Sequence, residues 1–195
     1  INEVDWQERK AVLKVAFPVN VHSPRATYEI AFGAIERPTH WNTSWDLARF
    51  EVSGHRWADL SETGYGVSVL NDCKYGWDIK DNVIRLTLLR APGYPDPDAD
   101  RCKHVFTYSL LPHRGDWTES TVRSAAELNV PLVARVDEPH PGELGTRRSF
   151  VTTDSPNVIV DTVKRAEDGD ELVVRAYEST GARGPVCLSF DRGIK

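Results

Sequence analysis

Residues 81–89 read DNVIRLTLL. Ile84, Leu86 and Leu88 share one face of this run, and Arg85 and Thr87 the other. Period-two alternation of this kind makes a half-buried antiparallel strand. The Asp81-Asn82 pair in front of it reads as a hairpin turn. The same pattern recurs along the chain. Leu13, Val15 and Phe17 align within residues 10–17. Tyr28, Ile30 and Phe32 align within 27–32, with Thr27 and Glu29 opposite. Phe106, Tyr108 and Leu110 align within 104–110. Residues 158–163 and 172–177 repeat the alternation, and Glu167-Asp168-Gly169-Asp170 joins them as a second hairpin. Residues 91–100 (APGYPDPDAD) carry three prolines, too many to pair in a ladder, and read as a surface loop.

One short helix is predicted. Asp116 can cap it, Glu119 completes a capping box, and Val122, Ala125 and Ala126 form its apolar stripe before Pro131. Residues 136–146 (VDEPHPGELGT) lose all periodicity. The reading is therefore all-β: a large β-sandwich over 1–133, a connection over 134–146 and a small second β module over 147–195.

The chain has 195 residues, 40% of them hydrophobic, enough to bury a sizeable core. Its 24 Lys+Arg against 29 Asp+Glu leave a net charge of -5, which argues against a nucleic-acid partner. No apolar run approaches the ~20 residues of a membrane span. Residues 1–10 (INEVDWQERK) do not read as a signal peptide. Cys73, Cys102 and Cys187 are too few and odd in number for a disulfide framework, so a reducing, cytoplasmic setting is the simpler reading. The chain has no Met, which reads as a piece of something longer.

Trp41, Trp45, Trp57, Tyr65, Tyr75 and Trp77 crowd one stretch with His40 and His55. Tryptophan faces are good platforms for sugar C–H faces; large aromatics also fill sandwich cores. Residues 37–46 (RPTHWNTSWD) and 71–76 (NDCKYG) are polar breaks between strand patterns, the kind of loop that supplies binding groups. Asn71-Asp72 can equally make a turn for local reasons. Asp46, Glu51, Asp59, Glu62 and Asp72 are carboxylates of the type glycoside hydrolysis uses, and spacing singles out none of them. Cys102 and His104 fall on one strand face, where a partly buried core histidine is the simpler reading than a metal ligand. Asn42-Thr43-Ser44 is a glycosylation sequon, relevant only to a secreted protein.

Several long segments carry a resemblance. LKVAF (13–17), PVNV (18–21), ATYEI (26–30), RPTHWNTSWD (37–46), HRWADLSE (55–62), GYG (64–66), LNDCKYG (70–76), LLRAP (88–92), FTY (106–108) and VRAYE (174–178) resemble the α-mannosidases of glycoside hydrolase family 38, closest to the cytosolic and bacterial branch. The resemblance implies the C-terminal β part, a supersandwich related to galactose-mutarotase-like folds. In the family the catalytic α/β domain comes earlier and holds the nucleophile, the acid/base carboxylate and a divalent metal, zinc or cobalt. No catalytic or metal-binding position is carried over to this sequence.

The implied partners are an N-terminal catalytic domain and α-mannosides or oligosaccharides, with homo-oligomerisation open. The Golgi and lysosomal branch carries an Asp-Arg-x-Gln-Gly type segment where this chain reads SETGYG (61–66), without its arginine. The substrate-proximal candidates are therefore Asn71, Asp72, Lys74 and Tyr75, with Arg37, His40, Trp41 and Trp45 expected beside them at one end of the sandwich. The family chain also continues past a strand like VCLSF (186–190), so the end at Lys195 is expected to be a truncation. The alternative is a stand-alone carbohydrate-binding or structural module.

Overall fold

The computed structural model describes residues 1–142 and 145–191. The chain forms two compact units, Ile1–Pro131 and Leu132–Lys195. The end of the expected small module, with Lys195, and part of the expected connection lie outside the described residues.

The first unit runs β1 (Asn2–Asp5), β2 (Leu13–Pro18), β3 (Arg25–Ile30), β4 (Gly33–Pro38), α1 (Ser44–Ala48), β5 (Val52–Ser53), β6 (Trp57–Glu62), β7 (Tyr65–Asn71), β8 (Gly76–Lys80), β9 (Val83–Leu89), β10 (Lys103–Phe106), β11 (Tyr108–Arg114) and α2 (Thr121–Asn129). One sheet has the order β11-β7-β6-β3-β4, a second the order β2-β9-β8-β5, and β1 pairs with β10. In the first, Tyr28 stands opposite Ala58 and Ala58 opposite Val69. In the second, Val15 and Trp77 both stand opposite Leu86, and Phe17 and Ile79 opposite Ile84. These rows meet in one core, in which Trp77, Leu60, Ile84 and Leu86 are fully buried. Each such side chain contributes about 1.5–3 kcal/mol by leaving water.

The Asp81-Asn82 turn joins β8 to β9 as the alternation predicts. Three expectations change. The strand through Tyr28 ends at Ile30, and Phe32 sits in the turn with a φ of 57° and its ring exposed. Glu29 is buried instead of facing water, because the backbone amide and guanidinium of Arg56 both bond its carboxylate. The run 104–110 is two strands, not one. There the Thr107 carbonyl accepts from the Asp72 amide and the Thr107 amide donates to the Asp72 carboxylate, so β10 leaves to pair with β1 while β11 joins β7. Phe106 ends up 2% exposed and Leu110 47%.

Helix α2 begins at Thr121, later than the Asp116 cap implies. Asp116 instead accepts from the amide and hydroxyl of Thr118, closing a local turn. The apolar stripe is right: Val122 and Ala125 are buried, and α2 lies on β6 and β7. Contrary to the one-helix expectation, Thr43 and Asp46 form a capping box that starts the single-turn α1. Thr-x-x-Asp is a legible start signal; its position inside an apparent polar loop hid it.

In the second unit, β13 (Val158–Arg165) and β14 (Leu172–Glu178) form the expected hairpin; β12 (Val151–Thr153) pairs with β15 (Leu188–Phe190).

Candidate functional site

The 71–76 turn is built by its own first two residues. Asn71 is fully buried. Its Oδ1 accepts from the amides of Cys73 and Lys74, and its Nδ2 donates to the His55 carbonyl. Asp72 Oδ2 accepts from the Thr107 amide at 2.9 Å. Burial pushes the Asp72 carboxyl up, but bonds from the Cys73 thiol and Thr107 outweigh it, so it lies below its ordinary value. Burial and the neighbouring Asp72 carboxylate push the Cys73 thiol up to about 11. Asn71 and Asp72 therefore hold the turn, and what it presents is Lys74 and Tyr75. Lys74 Nζ lies 4.6 Å from the Phe106 ring centre, and the exposed Tyr75 ring stands edge-on to His55 at 5.6 Å.

Residues 37–46 do not lie beside this turn. The Thr39 carbonyl accepts from the Asp81 amide, and Lys80 Nζ sits 3.8 Å from the centre of the Trp41 ring. Both contacts are at the far end of β8 from Tyr75. Five residues of strand at roughly 3.3 Å each separate the two places. Sequence reading put the two loops together because both interrupt strand patterns; the direction of β8 puts them apart. Arg37 lies over the Tyr28 ring at 4.7 Å, and burial lowers its pKa while raising that of Tyr28. His40 Nδ1 is 3.6 Å from Asp46 Oδ2. Trp45 projects from α1, 76% exposed.

The neighbour that Tyr75 does acquire is the β5 side of the second sheet. Val12, Phe50, Glu51, Tyr75, Thr87 and Arg90 line a cavity of about 540 Å³. Sequence reading missed Val12, Phe50, Thr87 and Arg90, and only the pairing of β5 with β8 and β8 with β9 gathers them. Glu51 accepts from Lys14 Nζ at 2.9 Å and from the Thr87 hydroxyl. Burial alone would raise its carboxyl; those two bonds bring it below its ordinary value.

The other carboxylates are committed elsewhere. Asp46 caps α1, Glu62 accepts from the His22 amide, and Asp59 is 1% exposed under α2. His104 Nε2 lies 2.7 Å from the Asp100 carbonyl and 3.4 Å from Cys102 Sγ. Among the described residues no three His, Cys, Asp or Glu side chains gather as a group that could hold a metal ion. Cys73, Cys102 and Cys187 are exposed free thiols.

Residues 1–98, just over half the chain, match the model described as the glycosyl hydrolases family 38 C-terminal domain. The chain belongs to glycoside hydrolase family 38. Residues 157–195 of this family 38 chain also match the family's C-terminal beta sandwich domain. It is similar to alpha-mannosidase 2C1 of Homo sapiens, 50% identical over 184 residues, covering 92% of this chain and 18% of that protein. It is 47% identical to alpha-mannosidase G of Dictyostelium discoideum over 193 residues, covering 98% of this chain and 18% of the relative. In fold it resembles an alpha-mannosidase from Enterococcus faecalis V583, with a TM-score of 0.84 at 22% identity, covering 97% of this chain and 22% of that one. The family 38 chain thus spans about a fifth of the length of its curated relatives, as their C-terminal domain.

Proposed function

We propose that this chain is the C-terminal β region of a retaining α-mannosidase that hydrolyses terminal α-mannosyl residues. The observation that carries the reading is 50% identity along 92% of the chain with a protein named alpha-mannosidase 2C1. The nucleophile, the acid/base carboxylate and a zinc or cobalt ion belong, in this reading, to an N-terminal catalytic domain of the same polypeptide. The β region packs behind that site and borders it with Lys74 and Tyr75. Lys74 donates to substrate hydroxyls, and Tyr75 offers a ring face. The rigid Asn71–Asp72 turn positions both. Three exposed free thiols suit a reducing compartment, which supports a cytoplasmic setting for the enzyme.

The test is hydrolysis of 4-nitrophenyl α-mannoside. The full-length polypeptide is expected to turn it over, and the 195-residue chain to be silent with or without added zinc or cobalt. Metal-dependent turnover by the 195-residue chain overturns the assignment.

A further inference from the structure

The cavity between β5 and β9 has a composition that neither a packed core nor an ordinary solvated sheet face requires. Its lining mixes charged side chains, Glu51 and Arg90, with apolar ones. Phe50 is 64% exposed, Val12 54% and Tyr75 52%, so three apolar groups stand in water around one depression of about 540 Å³. That size lies within the range of small-molecule pockets. The Tyr75 ring also makes an edge-on contact with His55.

The Glu51 carboxylate is held in place. Glu51 Oε2 takes the Lys14 ammonium and Oε1 the Thr87 hydroxyl. Gly76 leaves room for this: a Cβ there would come within 2.8 Å of Glu51 Oε1. A carboxylate offers about four acceptor positions, so these two bonds leave about two. Arg90 adds guanidinium donors to the lining. Lys14 also approaches Asp78 at 3.8 Å, and Asp78 pairs with Arg85 at 3.5 Å. Both signs are therefore interspersed along this face. A phosphate or carboxylate would favour a field of one sign. A neutral ligand with an apolar face and several hydroxyls matches a lining of aromatic rings, a carboxylate with acceptor capacity left and a guanidinium together.

We propose that this cavity binds a pyranose ring of a neutral oligosaccharide, with Tyr75 and Phe50 against its C–H face and Glu51 and Arg90 on its hydroxyls. The site is a binding site and carries out no chemistry. It deepens the α-mannosidase reading only in the choice of sugar. Binding to the chain and turnover by the full-length enzyme are separate readouts, so either can fail alone.

The experiment is a titration of the isotopically labelled 195-residue chain with α-1,2-mannobiose and, separately, cellobiose, followed by amide chemical shifts. Saturable shifts confined to Glu51, Tyr75, Gly76, Thr87 and Arg90 with either sugar support the proposal. Tyr75→Ala and Glu51→Gln should each weaken binding about tenfold, while Tyr75→Phe, which keeps the ring, retains it. The spectrum away from the cavity reports whether each variant is folded. No saturable shift with either sugar, shifts centred elsewhere, or unchanged affinity in folded Tyr75→Ala overturns the proposal; the first of these leaves the exposed rings as a protein-docking surface.

Discussion

His113 Nε2 lies 2.7 Å from Asp59 Oδ2, with both side chains buried beneath α2. Ser68 Oγ adds a bond to the same carboxylate oxygen at 2.7 Å and meets Thr121 Oγ1 at 2.7 Å. Ser61 takes the other oxygen. One carboxylate therefore joins β6, β7 and β11, and Ser68 extends the network to the first turn of α2. A Ser, a His and an Asp in contact invite a catalytic reading. Their burial under the helix makes the cluster a structural clamp instead.

The clamp has a pH signature. The hydrogen bond to Asp59 raises the pKa of His113 against the opposing effect of burial, and the Asp116 charge adds to it. The folded value thus lies above the unfolded one, about 6.5. The stabilisation is fully present below that pH and is lost as pH rises through the folded value. Melting temperature should fall between pH 6.5 and the folded value, and His113→Gln should flatten the fall. A rise across that window would mean that the ring is buried neutral. Asp59→Ala should cost about 3–5 kcal/mol, read by urea unfolding.

Two glycines are fixed by close approach. A Cβ on Gly66 would stand 2.4 Å from His113 Cε1, and one on Gly54 would stand 2.8 Å from Trp77 Cδ1. Gly66→Ala and Gly54→Ala should each destabilise by about 1–3 kcal/mol through overpacking. Gly33→Ala, with open space around it, should be close to neutral. Equal stability of all three variants would show that the sheets shift freely to make room.

Cys73 is exposed yet should be a poor nucleophile. Its thiol is pushed up to about 11, first by burial and then by Asp72. The thiolate fraction at pH 8 is then on the order of 100-fold below that of an ordinary cysteine. Iodoacetamide labelling followed by mass spectrometry should find Cys73 modified after Cys102 and Cys187. Asp72→Asn should accelerate it; unchanged labelling in that variant removes Asp72 as a cause.

Asp72 and Lys74 separate structure from function within one turn. Asp72→Ala leaves the Thr107 amide without its partner and should cost about 1–3 kcal/mol of stability. Lys74→Ala removes the ammonium over the Phe106 ring and should cost only about 0.5–1 kcal/mol of stability, while lowering kcat/KM of the full-length enzyme about tenfold on an aryl α-mannoside. Wild-type kinetics in Lys74→Ala would reduce the turn to a structural corner.

Alternation at Ile84, Leu86 and Leu88, and at Val15 and Phe17, determined the strands and their inward faces, because side-chain direction in a strand is a local property of the backbone. The Asp81-Asn82 turn was legible for the same reason. The family was legible too, since motifs such as LNDCKYG are contiguous. The sequence alone could not say that Glu29 is buried, that residues 104–110 divide between two pairings, or that residues 37–46 and Tyr75 sit at opposite ends of β8. Nor could it bring Val12, Phe50 and Arg90 to one cavity or Ser68 to His113. Each of those facts depends on which strands pair and in which direction. Pairing is settled by contacts between residues tens of positions apart, where local periodicity carries no information.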